Sequence, residues 1–274
     1  MQVGILPASM DCRRDRRPMV KRYREDREYC SWRCHKCGAE KPVTASTIFE
    51  ESHLSMRKIL VLAICYVHQQ SYEETRRACI FSVEDNSPSS GTIQQWFRNF
   101  REQVISTAVE LQLNGPLLGG DGVVVQVDEA LIGRRKYNRG RLVQGTWVVG
   151  MINEPGSIRL EICERRDAAT LGDIVARHVA PGSIVHTDSW RGYARLPSLV
   201  FDHHQVNHSV EFVAPDGTHT QRIESQWRAI RRRFSQGGIR HEDIADYLIE
   251  YAWRRKCTRE NMDPFVALMI SLKL

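Results

Sequence analysis

The sequence predicts an α/β protein in which a mixed five-stranded sheet with flanking helices is preceded by a cysteine-rich module and a helical module. Three observations carry this. β-branched apolar runs alternate with amphipathic segments after residue 120, cysteines cluster in Cys30-Ser-Trp-Arg-Cys34-His-Lys-Cys37 with Cys12 upstream, and apolar residues recur at three- and four-residue spacing between them. A length of 274 residues suits two folded units, or one large one with an appendage. The strongest seam is Asn114-Gly-Pro-Leu-Leu-Gly-Gly-Asp-Gly122, whose glycines and proline interrupt helix and strand alike. The expected modules are 1–52, 53–114 and 120–258, with 259–274 as a tail.

In chain order, residues 54–70 read as a helix through Ile59, Leu62, Ala63, Tyr66 and Val67, and 72–80 as a short second helix. After the loop around Pro88, Ser90 can cap a third helix whose apolar stripe is Ile93, Trp96, Phe97, Phe100 and Val104. Helix, short helix and longer helix is the order of a helix-turn-helix, and equally of a plain three-helix packing module. In the back half, 122–127, 145–152 and 157–163 read as strands, the last two joined by the turn Asn153-Glu-Pro-Gly156. A helix over 170–179, strands over 183–187 and 199–206, and helices over 220–234 and 242–256 complete the α/β order.

Charge is unevenly spread. The net value is only +6, yet residues 12–41 carry +6, 134–141 carry +5 and 222–259 carry +5, leaving −10 on the remainder. Clustered Lys and Arg release counterions from a phosphate backbone, so nucleic acid is the leading partner. The longest apolar run, Ile59 to Val67, is far short of the roughly 20 residues of a bilayer span, and residues 1–10 lack the pattern of a secretory signal. The cysteines are then expected as metal ligands or buried thiols, not disulfides.

Asp128 ends the first strand of the back half and Asp188 the fourth, so both would reach one edge of the sheet. Glu224 sits beside Ile223 on a helix with the apolar stripe Ile223, Trp227, Ile230 and Phe234, which places it on the flank facing the sheet. Three converging carboxylates are hard-oxygen ligands for Mg²⁺ or Mn²⁺ and could hold the two metals of phosphodiester chemistry. A single strand-end Asp is by itself an ordinary turn residue. Glu129 should point to the opposite face from Asp128, and His186, His208 and His219 read as structural histidines unless they orient a carboxylate or touch a phosphate.

Four collinear segments, Val-Asp-Glu-Ala-Leu-Ile-Gly-Arg-Arg-Lys (127–136), His-Thr-Asp-Ser-Trp-Arg-Gly-Tyr (186–193), Val-Asn-His-Ser (206–209) and His-Thr-Gln-Arg-Ile-Glu-Ser-Gln-Trp (219–227), resemble the catalytic domain of ISXO2-like (IS1595-type) transposases. The lettering is nearest the eukaryotic Merlin group. The resemblance spans about residues 123–256 and implies an RNase H-like fold with a metal-binding DDE triad at Asp128, Asp188 and Glu224. Many bacterial relatives have Asn where this chain has Gln221. The activity implied is cut-and-paste transposition, with strand cleavage and strand transfer at terminal inverted repeats by a dimer or larger synaptic complex on double-stranded DNA. The alternatives are a transposase-derived DNA-binding protein that no longer cuts, or a nuclease without strand transfer. Merlin-like lettering implies a nuclear protein; a bacterial host implies the cytoplasm and nucleoid.

DNA contacts are expected from Arg134, Arg135, Lys136, Arg139 and Arg141 after the first carboxylate, from Gln94, Gln95, Arg98 and Arg101 on the third helix, and from Arg228, Arg231 and Arg232 beside Glu224. The cysteine cluster holds one complete C-x₂-C knuckle, and two such knuckles normally build a tetrahedral Zn²⁺ site. The family often carries a zinc ribbon here, and aligning Trp32-Arg33-Cys34 puts Cys12 on the first ligand and the second on or near Asp15. The preferred zinc set is Cys12, Cys30, Cys34 and Cys37, with Asp15 as the alternative to Cys30. Cys65, Cys79, Cys163 and Cys257 fall in apolar contexts and are expected in the core.

Overall fold

A computed structural model describes residues 6–24, 29–50, 52–133, 145–154, 156–207, 209–210, 212–235 and 239–272. The basic run holding Arg134, Arg135, Lys136, Arg139 and Arg141, and also His208, lie outside the described residues. The chain divides into two compact units, 1–104 with 263–274, and 105–262.

In the first unit, strands β1 (Val20–Arg24), β2 (Tyr29–Arg33) and β3 (Glu40–Pro42) form an antiparallel sheet in that order. Cys12, Met19, Trp32 and Cys34 make a small core, with Met10, Ala39 and Val43 around it. So few apolar residues supply little burial, which is why a region of this size usually needs a metal or a disulfide. Three helices follow: α1 (Met56–Val67), α2 (Tyr72–Ala78) and α3 (Ser90–Asn114). Ser71 and Glu74 form a reciprocal capping box on α2. The cap of α3 is Ser89, not the expected Ser90; its hydroxyl accepts from the Thr92 backbone N–H at 3.1 Å.

The expected stripe is buried. Tyr66 meets Phe97 and Phe100 at ring-centroid distances of 5.6 and 5.7 Å, and Trp96 meets Phe100 at 5.5 Å, separations at which aromatic pairs add to plain area burial. α3 runs to Asn114, and its last ten residues belong to the second unit. Residues 264–271, left in a tail on sequence grounds, form α7 (Pro264–Ser271), which is capped by Asp263 and rests on α1.

The second unit is built on β4 (Val124–Ile132), β5 (Thr146–Asn153), β6 (Ile158–Cys163), β7 (Ile184–Asp188) and β8 (Asp202–Val206), in the order β6-β5-β4-β7-β8. The pairings β4 with β7 and β7 with β8 are parallel; β4 with β5 and β5 with β6 are antiparallel. This is the mixed five-stranded sheet expected. Strand alternation sorts the side chains to two faces. Val125, Val127, Val149 and Met151 pack with Leu171, Ile174 and Val175 of α4 (Ala168–His178) and with Tyr193 and Leu196. Ala130, Ile132, Val148 and Ile152 pack with Ile223, Trp227 and Ile230 of α5 (Gln221–Ser235) and with Ile244, Leu248 and Ala252 of α6 (Ile244–Arg259).

Gly150 explains how α5 comes so close. A Cβ there would lie 2.6 Å from Cη2 of Trp227 and 2.8 Å from Cδ1 of Ile223, so only a residue without a side chain lets the indole lie on β5. Gly150→Ala is therefore expected to cost about 1–3 kcal/mol by overpacking, read as a fall of several degrees in Tm by circular dichroism. An unchanged Tm would show that the indole is free to move.

Candidate active site

Asp128 and Asp188 stand on adjacent parallel strands, each two residues beyond the paired Gln126 and His186. Neighbouring strands lie about 4.8 Å apart, so the two carboxylates share one edge and one face. The expectation that Asp128 ends its strand is corrected. β4 continues to Ile132 because β5 goes on pairing with it, Asp128 opposite Gly150, after β7 has left its other side. The functional edge is thus a step in the sheet, open on the β7 side only.

α5 delivers Glu224 to this step. The Oε1 of Gln126, a side chain buried at 3% exposure, accepts from the Arg222 and Ile223 backbone N–H groups at 2.9 and 3.2 Å. These are two of the four orphan donors of a helix N-terminus. The Nε2 of Gln126 lies 3.1 Å from Nδ1 of His219, just before the helix, and the Thr220 hydroxyl donates to Glu224 Oε1 at 2.6 Å. Sequence reasoning missed Gln126. The available signal was an amide inside the apolar run Val-Val-Val-Gln-Val-Asp, where a buried polar group needs partners.

Asp128 accepts from the Trp227 indole N–H at 2.8 Å through Oδ2. Its carboxyl is pushed up to about 7, by burial first and also by the charges of Glu129 and Asp188, against the opposing effect of the Trp227 bond. Asp188 accepts the Trp190 backbone N–H at 3.1 Å. The Trp190 ring is held in turn by the Arg166 guanidinium, 4.3 Å from its centroid and 3.7 Å from that of Trp147. Gly192 makes this placement possible, since a Cβ there would be 1.9 Å from the Trp190 ring. Glu129 points to the opposite face, as alternation requires, and its Oε2 accepts the Tyr193 hydroxyl at 2.5 Å. His186 is buried and held neutral chiefly by that burial.

An open groove of about 780 Å³ is lined by Asp128, Gln221, Glu224, Ser225 and Trp227 together with Arg228, Arg231 and Arg232. The three arginines are exposed, as are Gln94, Gln95 and Arg98 on α3, while Arg101 is half-buried. The carboxylates fit divalent metal in donor type and in electrostatics. They are oxygen ligands, and the burial and neighbouring negative charges that raise Asp128 are what a bound cation would offset.

The cysteine site differs from expectation in one ligand. Among the described residues, Cys12, Asp15, Cys34 and Cys37 are the group whose metal-type ligand atoms all lie within 4.8 Å of one another. Cys12 Sγ is 3.4 Å from Cys37 Sγ, and Cys34 Sγ is 3.2 Å from Asp15 Oδ2, close to the roughly 3.8 Å edge of a tetrahedron with 2.3 Å bonds to zinc. Cys30 is excluded because it stands on β2 opposite Tyr23, four residues from Cys34. Along an extended strand that is about 13 Å.

Asp15 is there because both knuckles have the same backbone form. Arg16 N–H bonds to the Cys12 carbonyl at 2.8 Å and Cys12 N–H to the Arg17 carbonyl at 2.8 Å; Gly38 N–H bonds to Cys34 at 3.0 Å and Cys34 N–H to Ala39 at 2.9 Å. Arg16 and Gly38 both have positive φ, +56° and +72°. The residue before each is a member of the four-residue group, Asp15 in one knuckle and Cys37 in the other. The Ala39 backbone N–H, and next the Cys12 thiol, hold the Cys37 thiol below its ordinary value, which favours the thiolate a zinc ion needs. The other four cysteines are buried as expected.

Two outcomes follow. Asp15→Cys completes a four-thiolate set and is expected to bind Zn²⁺ more tightly than the wild type in a chelator competition; weaker binding would place the fourth ligand elsewhere. Asp128 is raised when folded, so its destabilising effect is absent below about pH 4, grows as pH climbs towards 7, and is constant above that. In metal-free buffer Asp128→Asn should therefore raise Tm near pH 8, by an amount equivalent to a few kcal/mol, and leave it unchanged near pH 4. A loss of Tm at pH 8 would show that the carboxylate is not under strain.

Residues 116–256 match the ISXO2-like transposase domain. An uncharacterized transposase-like protein of Haemophilus influenzae is 36% identical over 88 residues, 32% of this chain and 71% of that protein. Among solved structures, the Mos1 strand transfer complex aligns over 81% of this chain and 99% of that chain at 13% identity and TM-score 0.32. The pre-cleavage Mos1 transpososome aligns over 80% and 97% at 12% identity and TM-score 0.30. Those two likenesses are too slight to bear on the argument. The family match covers half of the chain, and the chain belongs to the ISXO2-like transposase family.

Proposed function

We infer that this transposase binds the terminal inverted repeats of a mobile element and performs cut-and-paste transposition through a DDE triad of Asp128, Asp188 and Glu224. One observation carries the reading: Asp128 and Asp188 stand level on adjacent parallel strands, and Asp128 and Glu224 of α5 line a groove together with Arg228, Arg231 and Arg232. The sheet order agrees with an RNase H-like domain. The motif lettering adds nearness to the Merlin group, and so a nuclear site of action in a eukaryotic host or the nucleoid in a bacterial one.

Mg²⁺ or Mn²⁺, when bound, supplies an activated water and neutralises charge on the scissile phosphate. Asp128, Asp188 and Glu224 hold the cations. The Trp227 indole and the Trp190 backbone N–H fix the two aspartates from behind. The three arginines draw the DNA backbone along the groove, where preorganised charge lowers the barrier without reorganisation. The exposed Gln94, Gln95 and Arg98 of α3 read bases at the element's ends, α1 to α3 serve as the helix-turn-helix, and the zinc knuckles brace the N-terminal sheet. Holding two ends together calls for a dimer or larger complex.

The test is incubation of the purified chain with inverted-repeat DNA, a target plasmid and Mg²⁺ or Mn²⁺. Strand transfer is expected in the wild type and a loss of at least about a hundredfold in each of Asp128→Ala, Asp188→Ala and Glu224→Ala. Specific binding without cleavage by the wild type would favour a silent DNA-binding protein, and cleavage without joining a nuclease.

A further inference from the structure

A second basic site lies on the β5–β6 hairpin side of the catalytic unit. A pocket of about 240 Å³ is lined by Arg159, Arg255, Lys256 and Arg259, with Glu260 as its one carboxylate. It shares no residue with the groove at Asp128. Asn153 on its wall is three residues beyond Gly150, the partner of Asp128, or about 10 Å along β5.

The charges do not balance. Glu260 is taken by Arg259 at 2.7 Å and by Lys256 at 3.9 Å. Arg159, with 6% exposure, donates to the carbonyls of Pro116 at 2.9 Å and Ile158 at 3.3 Å and, among the described residues, meets no carboxylate. Arg255 gives its two terminal nitrogens to Gln226 Oε1 and the Gly156 carbonyl, while its Nε is buried with no acceptor among the described residues. Carbonyl dipoles satisfy hydrogen bonds but leave the net charge in place, and a buried cation without a counter-anion is costly. A guanidinium with a spare N–H beside further cations is a fork for phosphate. The volume is below the usual 300–1,000 Å³ of small-molecule pockets, so it suits a single phosphate group.

We propose that this pocket binds one phosphate of a nucleic acid backbone outside the reacting strand, using Arg255, Lys256 and Arg159, and so anchors DNA at a point separate from the carboxylates. The assignment does not depend on the triad being active.

The experiment uses the full chain without divalent cations. Tm is followed against sodium phosphate at constant ionic strength set with chloride, and duplex DNA affinity against salt, for wild type, Arg255→Gln, Lys256→Gln and the groove control Arg231→Gln. Phosphate should raise Tm in the wild type and in Arg231→Gln but not in the two pocket variants. Duplex binding by the pocket variants should weaken several-fold, with the salt slope reduced by about one. Lys256 is half-exposed, so its variant keeps the test open if Arg255→Gln misfolds. Equal stabilisation of all four proteins, or of none, overturns the pocket. Phosphate stabilisation that depends on the pocket, with unchanged duplex affinity and slope, makes the ligand a free phosphate and overturns the nucleic acid assignment. A wild type that binds no duplex overturns that assignment too, and its Tm response to phosphate still reports on the pocket itself.

Discussion

The amide of Gln126 is the joint on which the catalytic unit turns. It sits between Val125 and Val127 in β4, and a polar group buried there must be paired or the strand is destabilised. Its oxygen takes the first N–H groups of α5 and its nitrogen takes His219, so the start of the helix has one place to be. Glu224 lies one turn into that helix, and Trp227 one turn further reaches Asp128. A single side chain thus couples the register of the sheet to the position of the third carboxylate. Gly150 completes the coupling from the other strand by making room for the indole.

That precision works against stability. Burial raises the energy of the charged forms of Asp128 and Glu129, and the charge of Asp188 adds to both. The fold disperses part of the strain by sending Glu129 to the far face, where Tyr193 and Arg166 receive it. Arg166 also stacks between Trp147 and Trp190, so the residue that answers Glu129 steadies the loop holding Asp188. Functional sites commonly store strain that the surrounding core compensates. Here the compensation comes from aromatic packing on one side of the sheet and from α5 on the other.

The N-terminal sheet shows a different economy. Its core is small, and the two knuckles are alike in backbone and unlike in chemistry. What the turn requires is a residue able to adopt positive φ, directly after Asp15 in one knuckle and Cys37 in the other. Glycine meets that requirement freely at 38, while Arg16 accepts it at some cost. An oxygen ligand in one knuckle makes the set harder than four thiolates and leaves zinc still the best match.

Much was legible in the chain itself. Periodicity alone separates the helices of 54–114 from the strands after 122, the order of elements along the chain follows from hydrophobic runs and turn residues, and the motifs mark Asp128, Asp188 and Glu224 as the residues of interest. These are local properties, and local chemistry is what a sequence encodes directly. Alternation even placed Glu129 on the opposite face. The sequence could not show that β4 runs four residues past Asp128, because that depends on which neighbour continues to pair. Nor could it choose Asp15 over Cys30, since proximity through a folded turn outweighs residue type when the rival is held at the far end of a strand. Gln126, the helix at 264–271 and the basic pocket at Arg159 and Arg255 likewise arise from contacts between residues distant in sequence. Composition and spacing determined which chemistry this chain carries; the tertiary structure decided which atoms meet, because only folding converts sequence separation into distance.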